Sequence, residues 1–187
     1  MKREDVIHLF SKNLLIPADR VYLRRMQKKD ATDMHDYAKR AEVTRYLLWH
    51  AHPDLPYTKR YLAYVEACYR NGTFFDLAVI DRMTDRMIGT CGFTRFDFPN
   101  NSAEIGYVLH PDHWHRGIAT EAAAALMRFA FETIGLHRIE AKYMLPNLAS
   151  RRVMEKCGMT FEGIQRGAML IKNHYEDIRI CAKIKED

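Results

Sequence analysis

The chain has 187 residues, of which 48 % are hydrophobic and 28 % charged, and its formal net charge is +5. That length suits one domain with a substantial core, predicted over residues 1–187 with 1–19 as an N-terminal extension packed on it. No apolar run approaches the ~20 residues of a membrane-spanning helix, and the mild positive charge lacks the basic, aromatic-interleaved stripe of a nucleic-acid binder.

The opening stretch MKREDVIHLFSKNLLIP is too charged for a signal peptide. Cys68, Cys91, Cys157 and Cys181 form no C-x-x-C pair. They read as reduced thiols of a cytoplasmic protein. The first predicted element is a strand, RVYLRRM, where Val21 and Leu23 alternate with polar neighbours. A helix follows over KKDATDMHDYAKR, with Met34, Tyr37, Ala38 and Ala41 as its apolar stripe. The aromatic, proline-broken stretch RYLLWHAHPDLPY reads as a loop. TKRYLAYVEACYRNG reads as a helix capped by Thr58 and ended by Gly72.

FFDLAVID, MIGTCGFTRFD and AEIGYVLH read as three strands, the first two joined as a hairpin. The longest helix pattern runs from Gly117 to about Thr133. Its apolar stripe comprises Ile118, Ala122, Ala125, Leu126, Phe129 and Thr133, with Glu121 assigned to the polar side. HRIEAKYML is a strand, NLASRRVMEKCG a short helix capped by Asn147 and closed by Gly158, and two antiparallel strands end the chain. The fold class is therefore α+β (mixed α/β). It comprises a twisted, mixed, mostly antiparallel sheet of about seven strands with helices on both faces. The strand–helix–strand unit from Glu104 to Met144 is the expected parallel crossover, right-handed if so.

The stretch HPDHWHRGIATEAAAAL, at the junction of the third of those strands with the long helix, carries the main chemical signal. A helix start offers backbone N–H groups with no intrahelical partner and a positive dipole end. Gly117 and Ala119 keep that backbone approachable, and Arg116 adds a full charge, so a pyrophosphate-like anion fits. An ordinary strand–glycine–helix junction explains the same residues equally well. Neither a P-loop nor G-x-G-x-x-G is present. His110, His113 and His115 have no cysteine or carboxylate partners at familiar zinc spacing, so no metal is expected.

RVYLRRMQKKDA, the stretch from Ala103 to Ala141, NLASRRVMEKCGMTFEG and HYED, taken in order, resemble the GCN5-related N-acetyltransferases (GNAT). The resemblance is strongest to the branch that acetylates N-termini of ribosomal proteins. It runs from about Arg20 to the C-terminus. It implies an acyl-CoA N-acyltransferase fold and acetyl-coenzyme A as cosubstrate, lying between two splayed parallel strands. The family's Q/R-x-x-G-x-G/A loop aligns with Trp114-His115-Arg116-Gly117-Ile118-Ala119, with Trp114 departing from Q/R. The resemblance thus assigns the pyrophosphate to the backbone from His115 through Arg116, Gly117, Ile118 and Ala119 to Thr120. It assigns the pantetheine amides to Asn147 and the sulfur to Ser150. Asn147 also reads as a plain helix cap, and Ser150 as a first-turn serine bonding local backbone.

The implied reaction, an amine attacking a thioester, needs a proton acceptor, an oxyanion donor and a proton for the departing sulfur. Glu104 is the expected base, directly or through water, and a lysine- or arginine-paired strand glutamate is the competing reading. Backbone near Val108 and Leu109 is the expected oxyanion donor. Trp49, Tyr57, Tyr107 and Tyr175 are the expected substrate contacts, though the loop carrying Trp49 and Tyr57 reads equally as core packing. The acceptor would be a peptide N-terminal amine or a small-molecule amine, and the protein a monomer or homodimer. The competing function is a non-catalytic coenzyme A sensor or interaction module.

Overall fold

A computed structural model of the chain describes residues 2–11 and 13–187. Its eight strands are β1 (Leu15–Pro17), β2 (Val21–Arg24), β3 (Ala78–Asp81), β4 (Met87–Asp97), β5 (Ser102–Leu109), β6 (Arg138–Met144), β7 (Thr160–Ile171) and β8 (His174–Ile184). They form one sheet in the order β1-β2-β3-β4-β5-β6-β8-β7. Every neighbouring pair is antiparallel except β5–β6. The sheet gains one strand over the seven expected, because β1 is three residues long and leaves little alternation to read. Where one was expected, the crossover from β5 to β6 is parallel.

Six α-helices cover the sheet: α1 (Arg3–Ser11), α2 (Ala31–Ala38), α3 (Ala41–Thr44), α4 (Leu55–Asn71), α5 (Ile118–Phe129) and α6 (Leu148–Lys156). One core cluster joins the α5 side chains to Ile105, Leu109 and Met154, and includes Val6 and Phe10 of α1. A second, on α2 and α4, gathers Met34, Tyr37, Leu62 and Val65 over Ala78 and Ile80. The two clusters lie against opposite faces of the sheet, since Leu77 and Val79 belong to the first and Ala78 and Ile80 to the second.

Several boundaries differ from the sequence pattern for local reasons. Met34, Tyr37 and Ala38 are buried as their spacing predicts, but Ala41 is exposed because the chain breaks at Lys39 and starts α3. The cap of α4 is Asp54, whose Oδ1 accepts the Tyr57 amide at 2.7 Å, with Pro56 in the first turn. Thr58 is instead fully buried inside the helix. Gly72 closes α4 with φ 63°, and Gly158 follows α6 with φ 74°. α5 ends at Phe129 and widens into a π turn over Ala130–Ile134. The extra residue rotates the face, so Ile134 is buried and Thr133 exposed.

Candidate active site

β5 and β6 pair only from Ser102↔Arg138 to Ile105↔Ala141. Beyond that point β5 stays on β4 as far as Leu109, and β6 stays on β8 as far as Met144. The parallel pair therefore opens into a wedge, and one edge of β5 loses its partner. The His110 amide donates to Ile88 O on the β4 side. By the two-residue period, the Val108 amide also faces β4, while those of Tyr107 and Leu109 face the wedge. Of the two residues expected to supply the backbone donor, Leu109 turns its amide to the free edge, as does Tyr107, whereas that of Val108 faces β4 and its side chain lines the cavity wall.

At the open end of the wedge lies the junction from β5 to α5. His115 has φ 58° and Gly117 φ 77°, with Arg116 between them outside the left-handed region. Such alternation turns successive N–H groups toward one point, an anion-binding nest, and the first-turn amides of Ile118, Ala119 and Thr120 extend it. A Cβ on Gly117 would meet nothing nearer than Arg20 Nη2 at 3.6 Å, so the space in front of this backbone is open. His115, Arg116 and Gly117 are exposed.

The loop is braced by residues the sequence pattern had not linked to it. Arg20 Nη1 donates to Arg116 O at 2.9 Å and Arg20 Nε to Glu121 Oε2 at 2.7 Å. Glu121 Oε1 also accepts the amides of Arg20 and Val21. Glu121 thus faces β2 and is not a solvated residue. Burial pushes its carboxyl up, but the bonds from Arg20 and Val21 outweigh this and hold it below the usual value. Trp114 Nε1 donates to Leu109 O at 2.8 Å, tying the loop back to its strand. His110 caps the Pro111–His113 turn through the Asp112 amide, and its Nε2 lies 3.2 Å from Asp36. Among the described residues, no group of three or more His, Cys, Asp or Glu side chains is arranged to hold a metal ion.

The alternation of β5 sends Tyr107 toward α6. Its hydroxyl lies 2.9 Å from Ser150 Oγ and 3.0 Å from Ser150 O. Burial raises the phenol well above its usual range, so it stays protonated. Asn147 caps α6, its Oδ1 accepting the Ser150 amide at 3.2 Å. Ser150, Val153, Met154 and Cys157 share the inward face of that helix, whereas Arg151 is exposed and paired with Glu155 at 2.7 Å.

On the opposite face of the sheet, a cavity of about 260 Å³ opens onto the same wedge. Its walls include Tyr46, Trp49, Asp76, Glu104, Lys142 and Met169. Gly92 and Gly106 face each other across β4 and β5, leaving a patch of sheet without side chains. Glu104 stands in this wall with both oxygens engaged: Oε2 meets Lys142 Nζ at 2.6 Å and Oε1 accepts from Thr94 at 3.1 Å. Asp76 is a second carboxylate that strand alternation alone had not singled out. Trp49 lines the cavity; Tyr57 and Tyr175 do not. Tyr57 sits in the first turn of α4 with its ring against His52, and Tyr175 is 76 % exposed on β8. Tyr107 borders the cavity, but its hydroxyl is committed to Ser150 across the sheet.

The model of the acetyltransferase (GNAT) domain matches residues 20–160. The chain belongs to the GNAT acetyltransferase family. An uncharacterized N-acetyltransferase of Bacillus licheniformis, p20, is 31 % identical over 169 residues, covering 90 % of this chain and 95 % of that protein. A GNAT-family acetyltransferase structure from Bacillus anthracis superposes with a TM-score of 0.83 at 28 % identity, covering 93 % of this chain and 100 % of that one. The ribosomal L7/L12 α-N-protein acetyltransferase RimL, in complex with coenzyme A, shares the fold. Its TM-score is 0.79 at 21 % identity, covering 91 % of this chain and 98 % of that one. As a GNAT member, the protein is an acetyl-CoA-dependent N-acetyltransferase. No described helix is long and apolar enough to cross a membrane.

Proposed function

We propose that this GNAT enzyme moves the acetyl group of acetyl-CoA onto a primary amine that enters through the Trp49–Glu104 cavity. The acceptor is a peptide N-terminal amine or a small-molecule amine. The observation that carries this reading is the meeting of three features at one wedge: the nest at His115–Gly117, the unpartnered edge of β5, and a cavity walled by carboxylates. Pyrophosphate oxygens accept from the amides of His115 through Thr120, with Arg116 adding charge. The pantetheine arm follows the free edge of β5, where the amides of Tyr107 and Leu109 stand ready for carbonyl oxygens. Asn147, beyond its capping bond, offers its side-chain NH₂ to the same arm.

The acetyl carbonyl gains negative charge as the amine attacks, and a backbone amide of the free edge stabilises it. The Ser150–Tyr107 hydroxyl pair supplies a proton to the departing sulfur. The proton of the incoming ammonium leaves toward the carboxylate wall of which Glu104 is part, directly or through water. Burial raises the Cys157 thiol to about 11 and that of Cys91 well above its usual value, which disfavours an acetyl-cysteine intermediate and favours direct attack. The N-terminal acetylation named for RimL supports a peptide acceptor.

Thiol release from acetyl-CoA, followed across short peptides with free α-amines and across aliphatic amines, tests the reading. Turnover with one of these classes is expected. Tight coenzyme A binding with no turnover on either would instead establish a sensor or interaction module.

A further inference from the structure

Asp76 lies just before β3, where the chain has left the regular ladder: Phe75 forms only an isolated bridge with Phe93, and β3 begins at Ala78. This shift turns Asp76 toward the cavity that Glu104 also lines. The position depends on Gly92. A Cβ there would come within 2.3 Å of Asp76 Cα and 2.6 Å of its Oδ1. No other residue at position 92 leaves room for the carboxylate. Oδ1 accepts the Leu77 amide at 3.0 Å, so the group is oriented.

Asp76 and Glu104 differ in their surroundings. The two oxygens of Glu104 are occupied by Lys142 and Thr94, and its charge is matched by the ammonium. Asp76 has no cationic partner among the described residues. Burial pushes its carboxyl up to about 7, against the opposing bonds from Thr90 and the Leu77 amide. The titratable groups around it are the phenols of Tyr37, Tyr61 and Tyr69, the thiol of Cys91, and Glu104 with Lys142 across the cavity. The phenols and the thiol are all raised by burial and stay neutral at physiological pH, as a proton acceptor's surroundings should. The Tyr37 hydroxyl is buried with no hydrogen-bond partner, a site at which a relaying water gains a contact.

We propose that Asp76 is the group that takes the proton from the acceptor's ammonium, with Glu104 serving as a positioning residue that holds Lys142 and the cavity wall. The inference rests on the acetyl-transfer reading above. The ammonium gives one proton to the Asp76 carboxylate, leaving a neutral amine. Its nitrogen forms the C–N bond as the C–S bond breaks. The remaining extra proton on nitrogen passes to the coenzyme A sulfur through the Ser150–Tyr107 hydroxyls. Asp76 then releases its proton to solvent, so each turnover converts ammonium and acetyl-CoA into amide, free thiol and one proton.

The test is the pH profile of kcat/KM for thiol release with the best amine of the panel, in wild type, Asp76→Asn, Thr90→Val and Glu104→Gln. A base must be unprotonated to act, so wild-type activity rises with pH through about 7. Asp76→Asn is expected to lose this limb and to lower kcat by about 10²-fold or more, with acetyl-CoA affinity by calorimetry unchanged. Thr90→Val removes a bond that favours the charged carboxylate, so the limb moves to higher pH; this variant decides the matter if Asp76→Asn fails to fold. Glu104→Gln is expected to keep the limb while raising the KM for the amine. A retained limb in Asp76→Asn, or an unmoved one in Thr90→Val, overturns the proposal. So does loss of the limb in Glu104→Gln alone, which would assign the base to Glu104. Wild type that binds coenzyme A but acetylates nothing refutes the acetyl-transfer reading instead, and is thereby distinguished from failure of the Asp76 assignment.

Discussion

Replacing Gly117 with valine separates cofactor binding from folding. The residue has φ 77°, a conformation that costs a residue bearing a Cβ about 1–2 kcal/mol. The new Cβ meets no backbone, and its nearest neighbour is a guanidinium nitrogen at 3.6 Å, so no core contact is lost. For a chain of this size that cost lowers Tm by roughly 2–8 °C. The effect on acetyl-CoA is larger in proportion. The valine fills the open space before the nest, and displacing the pyrophosphate from even one backbone N–H removes a charge-assisted bond of about 1.5–3 kcal/mol. Calorimetric titration should therefore show a Kd for acetyl-CoA raised roughly ten- to a hundredfold in a protein with a native circular dichroism spectrum. A folded Gly117→Val protein that binds acetyl-CoA as tightly as wild type would refute the assignment of the pyrophosphate to this loop.

Other perturbations read out neighbouring parts of the machinery. Ser150→Ala is expected to lower kcat by about 10²-fold with little change in acetyl-CoA affinity, because in the proposed mechanism its hydroxyl serves the departing sulfur; rapid-quench kinetics showing an unchanged rate of C–S cleavage would contradict this. Glu121 has a lowered folded pKa, so its contribution to stability is complete above its ordinary value of 4.5 and disappears as pH falls through the folded value. Glu121→Gln should accordingly flatten the acid side of a Tm-against-pH curve, and should raise the KM for acetyl-CoA by loosening Arg20 and the loop. Leu126→Ala, at a fully buried position of α5, should cost about 2–5 kcal/mol in denaturant melts without altering the pH profile of activity.

What was legible in the sequence was what a short window encodes. Alternation found β2, β4, β5 and β6, and the helix ends at Gly72 and Gly158 follow from backbone that favours glycine. The nest was recognisable because Gly117 and the amphipathic helix after it are contiguous. The braces were not, because Arg20 and Glu121 are 101 residues apart and each looks like an ordinary surface charge. The same holds for Lys142, which meets Glu104 only because β5 and β6 pair in parallel for four residues. Asp76 was hidden for a different reason. In FFDLAVID it occupies a polar position of an alternating strand, and the room for its carboxylate depends on a glycine in the next strand. The π turn at Ala130–Ile134 carries no local signature, so Thr133 was placed on a face that Ile134 takes.

The arrangement of β5 explains why one strand carries so much of the site. Its even positions, Glu104, Gly106 and Val108, face the cavity, and its odd positions, Tyr107 among them, face α5 and α6. Direct transfer needs a proton acceptor on the amine side and a proton donor on the sulfur side. Groups of such opposite demands placed in contact would exchange the proton between themselves. The sheet keeps them apart: the carboxylates of Asp76 and Glu104 lie on one face and the Tyr107–Ser150 hydroxyl pair on the other. The acetyl carbonyl can then sit at the strand's free edge, between the two. Gly106, bare on the cavity side and within 3.0 Å of the Thr94 methyl at its would-be Cβ, keeps that passage narrow but open. On the proposed reading, a side chain there would crowd the Thr94 methyl and narrow the way from cavity to edge while leaving the nest intact.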